Sequence, residues 1–392
     1  MAGRVTGDLA VVFTPDVATD RLVFRLWPNG PRPAALGGRL EAGPVTVDGK
    51  EEPTLSPDPT TLVVASGRRF EAGRAVRVTI PWRLRLPGGA DDRVSIDGGA
   101  IRLGSFFPIL AWEPSVGWAT EPATGNFAEA STATTADFDV TLEVPSGFEA
   151  LASGVQDRPG HWTATAMRDV GVSIGRFTKA TATAHAPEPV VVTVGVHAGL
   201  AESAPAYLQK VVVTLEELAA RYGPYPWPTF TLALTPGLGG GIEYPGHVMQ
   251  GPGTLGRTTS HEVGHQWFYA LVGNNQGRDP WLDEGLATWT EAQAERSLTA
   301  LVATAVPLTG RGRAGAPMAF WETNPGTYYR SVYVQGAQAL AALGDPALVD
   351  CALRLYVALE AYDIGRPADL IRAAGAVVPD AAARLGRFGI GP

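Results

Sequence analysis

Over the first 197 residues the apolar positions recur at every second residue. Phe138, Val140, Leu142 and Val144 alternate with Asp139, Thr141 and Glu143, and Val76, Val78 and Ile80 alternate with Arg77 and Thr79. A period of two puts one set of side chains on each face of a half-buried strand. Short runs at Leu9–Phe13, Leu22–Trp27, Leu62–Ala65 and Val190–Val196 read the same way. Turns such as Pro28-Asn29-Gly30 and Pro87-Gly88-Gly89 separate such runs. Many short strands with no long helix predict a β-rich saddle or sandwich domain over 1–197.

The period lengthens near residue 198. Leu208, Val211, Val212, Leu215, Leu218 and Ala219 follow helical spacing and predict a helix over Pro205–Tyr222, stopped by Gly223-Pro224. A strand is expected over Phe230–Thr235, then a glycine-rich turn over Gly237–Gly241, then helices over Thr259–Val272 and Pro280–Leu298. The remainder reads as mainly helical, so the chain divides into an N-terminal β-rich domain and a second domain over 198–392. The fold class is α+β.

Composition narrows the function. The 392 residues carry a net charge of −8 and a pI near 5.3. Nucleic-acid and anionic membrane surfaces demand a basic face, so neither partner is expected. No run approaches the roughly 18 apolar residues of a membrane span. Met1–Leu9 lacks the basic-then-apolar pattern of a signal peptide. Two expectations follow: secretion after loss of a leader, which we prefer, or cytoplasmic residence. Cys351 is the only cysteine, which excludes a disulfide framework and a thiolate zinc cluster. It lies in the apolar run Ala347–Leu359 and is expected to be a buried, inert thiol.

His261-Glu262-Val263-Gly264-His265 is an H-E-x-x-H motif. On a helix, positions i and i+4 share a face, so two imidazoles reach one zinc ion while the intervening Glu262 addresses its water. Catalytic zinc takes a third protein ligand and keeps one position open. Glu284, the nineteenth residue after His265, offers that ligand from the second helix. A metzincin pattern would put Gly and His at the positions of Phe268 and Leu271, and it fails. A thermolysin-type Asp four residues after the ligand glutamate also fails, because that residue is Thr288. Glu291, seven residues beyond Glu284 on the same face, is expected to support a ligand histidine.

With these residues in view the chain resembles the aminopeptidase N family of gluzincin aminopeptidases. Three motifs in order carry the resemblance over about 200–345. They are His261 to Phe268 with the gap to Glu284, Gly240-Gly241-Ile242-Glu243-Tyr244 as an exopeptidase motif, and Tyr333-Val334-Gln335-Gly336-Ala337. The resemblance implies a thermolysin-like catalytic domain behind an N-terminal saddle, one zinc ion per chain, and removal of N-terminal residues from peptides. Glu243 would bind the substrate's free amino group, and Gly240 and Gly241 would leave an edge strand open to substrate backbone. Tyr333 would hydrogen-bond the developing oxyanion. The chain departs from the family at Tyr244 for Asn, Ile242 for Met and Tyr269-Ala270 for Gly-Asn. It also has no counterpart of the large C-terminal helical domain, so a more open cleft is expected.

Two other readings share the motif: a zinc endopeptidase or hydrolase of a non-peptide substrate, and a binding protein that keeps the fold without catalysis. Tyr328 and Tyr329 compete with Tyr333 for the catalytic role. We read His247 as an ordinary core or surface histidine and Asp279 as a helix cap. Glu113 and Glu121 are first-domain candidates for sharing the amino-group site.

Overall fold

A computed structural model of the chain describes residues 3–89, 93–126 and 132–392. The strands expected from period two are present. Arg4–Phe13 pairs antiparallel with Val76–Arg85 in unbroken register from Arg4 opposite Arg85 to Phe13 opposite Val76. On the second strand Val76, Val78, Ile80, Trp82 and Leu84 all point inward, as the alternation requires. They meet Phe13, Phe24 and Val47 in one apolar core. Four-stranded sheets formed around Leu22–Arg25 and around Ala100–Leu103 close the β-rich half.

A further, five-stranded sheet carries Glu243. Its order is Phe177–His185, Pro189–His197, Thr229–Leu234, His247–Gln250 and Gly241–Tyr244. The three inner strands run parallel, and the two outer ones pair antiparallel with their neighbours. Parallel pairing of Pro189–His197 with Thr229–Leu234 requires a crossover, which the helix Ala204–Tyr222 supplies. Ser203 Oγ accepts from Ala206 N at its start, and Gly223 ends it at φ 112°, a conformation that favours glycine. Val211, Leu215 and Leu218 pack with Val192, Val194, Phe230 and Leu232 in the larger core. The expected strand over Phe230–Thr235 is thus internal, and Gly241–Tyr244 is the edge.

The helix expected over Thr259–Val272 is shorter, Arg257–Gly264. Beyond it the amides of Ala270, Leu271 and Val272 donate to the carbonyls of His265, Gln266 and Trp267, five residues back, and Tyr269 has φ 113°. The apolar run there is buried on all sides, so it carries no helical period to set it apart. The next helix is Trp281–Ala294. Cys351 is exposed, against expectation. The helix Pro346–Glu360 buries the face of Val349, Ala352, Leu353, Tyr356 and Val357, and position 351 falls on the other side. No helix among the described residues is long and apolar enough to cross a membrane.

The two halves are tied by polar contacts. Arg168, fully buried, donates to the carbonyls of Ala133, Ala270, Leu271 and Asp363. Tyr244 fills a slot walled by Gly104 and Gly171: a Cβ at Gly104 would lie 1.8 Å from the Tyr244 hydroxyl, and one at Gly171 would lie 2.7 Å from its ring. The departure at Tyr244 therefore pins the edge strand against the N-terminal half.

Candidate active site

His261 and His265 leave the same face of the helix Arg257–Gly264, with ring centroids 4.7 Å apart. Glu284 enters from the first turn of Trp281–Ala294. Its Oε2 lies 3.1 Å from His261 Nε2 and 3.5 Å from His265 Nε2. All three side chains are buried.

Glycines make this approach possible. A Cβ at Gly264 would lie 2.1 Å from Thr290 Oγ1, so the bare backbone of the first helix packs against that side chain of the second. Gly285 faces Gly336 across the next contact, where a Cβ on Gly336 would lie 2.9 Å from the Gly285 Cα. That second contact lets the segment bearing Tyr333 come down on Glu284.

The outer ring nitrogens are held by acceptors. His261 Nδ1 lies 3.2 Å from Glu291 Oε2, and His265 Nδ1 lies 2.7 Å from Asp283 Oδ1 and 3.2 Å from the Phe268 carbonyl. A carboxylate on Nδ1 fixes the tautomer that turns Nε2 toward a metal. Two inward Nε2 atoms and one carboxylate within 4.8 Å of one another suit a His₂Glu zinc site. Glu291 sits where the spacing placed it. Asp283 was not foreseen, and its position beside Glu284 was the available signal, because the first turn of that helix faces the histidines.

Neighbours set the protonation states. Burial lowers His261, but its hydrogen bonds to Glu284 and Glu291 outweigh this and push it up to about 10. Burial raises Glu284, yet the bonds from His261 and His265 hold its carboxyl well below the usual carboxylate range. Glu262 lacks such bonds and its Oε2 has no partner, so burial pushes it up to about 8 against the pull of the two histidines. A buried carboxyl poised near neutrality is what a general base requires.

The exopeptidase motif lies opposite. Glu243 is on the edge strand Gly241–Tyr244, 3% exposed, with Oε1 unpartnered. Carboxylate oxygens of Glu243 and Glu262 and a ring nitrogen of His265 lie within 4.8 Å of one another. Gly241 faces Glu262 so closely that a Cβ would lie 2.5 Å from its carboxyl, while nothing crowds Gly240.

Tyr333 lies on a single π-helical turn, Arg330–Val334, and its hydroxyl donates to Glu284 Oε1 at 2.6 Å. Burial raises its phenol well above the usual value, with Glu284 adding to it, so the proton is retained. Its competitors pack beside it but turn elsewhere: Tyr328, 5.7 Å from it between ring centroids, is fully buried against Trp321, and Tyr329, 4.8 Å from it, is 40% exposed and accepts from Arg257.

Other candidates fall outside this cluster. His247 is a core residue between Ser173 Oγ at 2.9 Å and Thr231 Oγ1 at 2.6 Å. Asp279 does not cap: Pro280 holds the N-cap position with no side-chain bond, and the Asp279 carboxylate pairs with Arg278. Glu113 accepts two bonds from Arg278 Nη2, at 2.7 and 2.8 Å, and Glu121 accepts from Asn275. Both carboxylates therefore join the halves of the chain.

No known family model matches the sequence. Solved structures do match the fold. The M1 zinc metallopeptidase from Deinococcus radiodurans is 19% identical with a TM-score of 0.69, covering 99% of this chain and 90% of its own. A variant of that enzyme with a bound Tyr-Ser-Ala substrate is 20% identical with a TM-score of 0.71, covering 99% and 91%. A two-domain M1 zinc metallopeptidase variant bound to L-arginine is 18% identical with a TM-score of 0.69, covering 99% and 90%. The chain has the fold of the M1 zinc metallopeptidases.

Proposed function

We propose that the chain is a zinc-dependent aminopeptidase that removes N-terminal residues from peptides. One observation carries this reading: beside a buried His₂Glu donor set lie two buried carboxylates, Glu262 and Glu243, each with an oxygen that nothing among the described residues satisfies. An unpaired buried carboxylate is costly, and a water proton and a substrate ammonium are the partners that resolve it.

His261, His265 and Glu284 would hold one zinc ion, which when bound would supply Lewis acidity and lower the pKa of water toward neutrality. Glu262 accepts the proton of the attacking water on its free Oε2 and passes it to the leaving amine. Tyr333 keeps its proton and donates to the oxygen that gains charge. Glu243 pairs with the substrate's α-ammonium, which sets the cleaved bond one residue from the terminus. Among the described residues no strand pairs with the outer side of the edge strand Gly241–Tyr244, and the bare Gly240 leaves room for substrate to lie along it. The structural relative that binds Tyr-Ser-Ala supports a peptide substrate.

The test is kcat/KM for one peptide, free and N-acetylated, in the unmodified protein and in Glu243→Ala. The free peptide should lose roughly 2 to 5 kcal/mol of binding on removal of the buried partner. The acetylated peptide should be cleaved weakly by both proteins and no worse by the variant. Equal losses on the two peptides would assign Glu243 to structure and remove the exopeptidase reading.

A further inference from the structure

Arg257 opens the metal helix one turn before His261, so the two side chains share a face. Its Nε donates to Glu291 Oε1, and its Nη2 donates to Tyr329 Oη. The other oxygen of the same carboxylate, Glu291 Oε2, meets His261 Nδ1. Tyr329 lies against Tyr333 with centroids 4.8 Å apart, and Tyr333 stacks on His261 at 5.8 Å with 9° between the planes. One guanidinium thus closes a ring of contacts through Glu291, His261, Tyr333 and Tyr329. The Glu291 side chain is 7% exposed while that of Arg257 is 63% exposed, so a surface cation anchors a buried carboxylate.

We infer that Arg257 is a positioning residue for the metal centre: it holds Glu291 in the orientation that fixes His261 and joins the metal helix to the tyrosine turn. The planar guanidinium presents separate donors, Nε and Nη2, to the two partners in a fixed fork, a geometry that the lysine ammonium, with its donors on one atom, does not reproduce. A carboxylate turned by two anchors keeps His261 Nδ1 engaged and Nε2 aimed inward. With Arg257 gone, the Glu291 carboxylate would be free to rotate toward water.

The inference rests on the reading of His261 as a zinc ligand. Its test is a cycle of zinc dissociation constants, by chelator competition, on the unmodified protein, Arg257→Met, Glu291→Gln and the double variant. Glu291→Gln should weaken zinc binding by about 10- to 100-fold, the usual cost of an outer partner, and Arg257→Met by roughly three- to tenfold because it acts one residue further out. In the Glu291→Gln background Arg257→Met should add nothing, since its route to the metal is gone. Arg257→Lys should recover part of the loss, and it completes the same cycle if Arg257→Met fails to fold. An Arg257→Met constant within about twofold of the unmodified protein, or an equal loss in both backgrounds, would overturn the positioning role. An unmodified protein that binds no zinc would overturn the metal reading itself, and this inference with it.

Discussion

Burial acts alike on Glu262 and Glu284, and their neighbours separate them. Glu284 faces two imidazoles and stays charged, as a ligand must, whereas Glu262 has an empty oxygen and rises to about 8. Glu262→Gln should therefore retain zinc while turnover falls by about 10² to 10⁴, the cost of a lost general base. Normal turnover in that variant would exclude Glu262 as the base. His247 gives a pH prediction. Burial lowers its imidazole from 6.5 to about 3, so the folded protein refuses a proton that the unfolded chain accepts between those values. Above 6.5 both states are neutral and the difference vanishes; stability should fall as pH drops from 6.5 toward 3. The acid-side slope of the melting temperature should be shallower in His247→Gln, and an identical slope would contradict this. The pairing of His261 with His265 was legible because one-turn spacing on a helix is fixed by backbone geometry alone. The sequence hid the role of Asp283, which depends on how the second helix is rotated against the first. It misled at Asp279, where the helical backbone of Pro280 takes the cap position.

At the scale of elements, bare backbone sets the site's dimensions. Gly264, Gly285 and Gly336 bring three helical segments together around His261, His265 and Glu284, and Gly241 lets the edge strand press on Glu262. Gly336→Ala would drive a Cβ into the Gly285 backbone and should cost roughly 1 to 3 kcal/mol of stability, as overpacking does. A denaturant midpoint unchanged from the unmodified protein would contradict that contact. Among the tyrosines, Tyr333→Phe should lower kcat with little change in KM, because the donor acts mainly in the transition state. Tyr328→Phe and Tyr329→Phe should not lower kcat to the same degree, and a loss confined to either would move the role from Tyr333. Elements with a clear period were legible: the strand Val76–Arg85 and the helix Ala204–Tyr222 appear within a few residues of expectation. The segment after Gly264 was not. Trp267, Phe268, Tyr269, Ala270, Leu271 and Val272 are all buried, so no polar stripe marks where the helix stops. The edge strand did not stand out for a related reason: Gly241–Tyr244 is four residues long beside a glycine run, too short to show alternation.

For the whole molecule, the polar seam between the halves holds the sheet edge and the metal helices in one frame. Glu113 is buried at 1% exposure and depends on Arg278, with Asn275 and Arg366 beside it. Arg278→Met should destabilise the protein by less than the roughly 3 to 5 kcal/mol of a fully buried pair, because Arg278 is half-exposed and the other partners remain. A melting temperature equal to that of the unmodified protein would show that the pair contributes nothing to stability. The seam was invisible in the sequence, since Glu113 and Arg278 lie 165 positions apart with no pattern to link them. The central claim is that His261, His265 and Glu284 hold a single zinc ion. Zinc content per chain, measured after exhaustive dialysis, tests it most directly. One zinc per chain is expected in the unmodified protein and essentially none in Glu284→Ala. Full occupancy in Glu284→Ala, or no zinc in the unmodified protein, would contradict it.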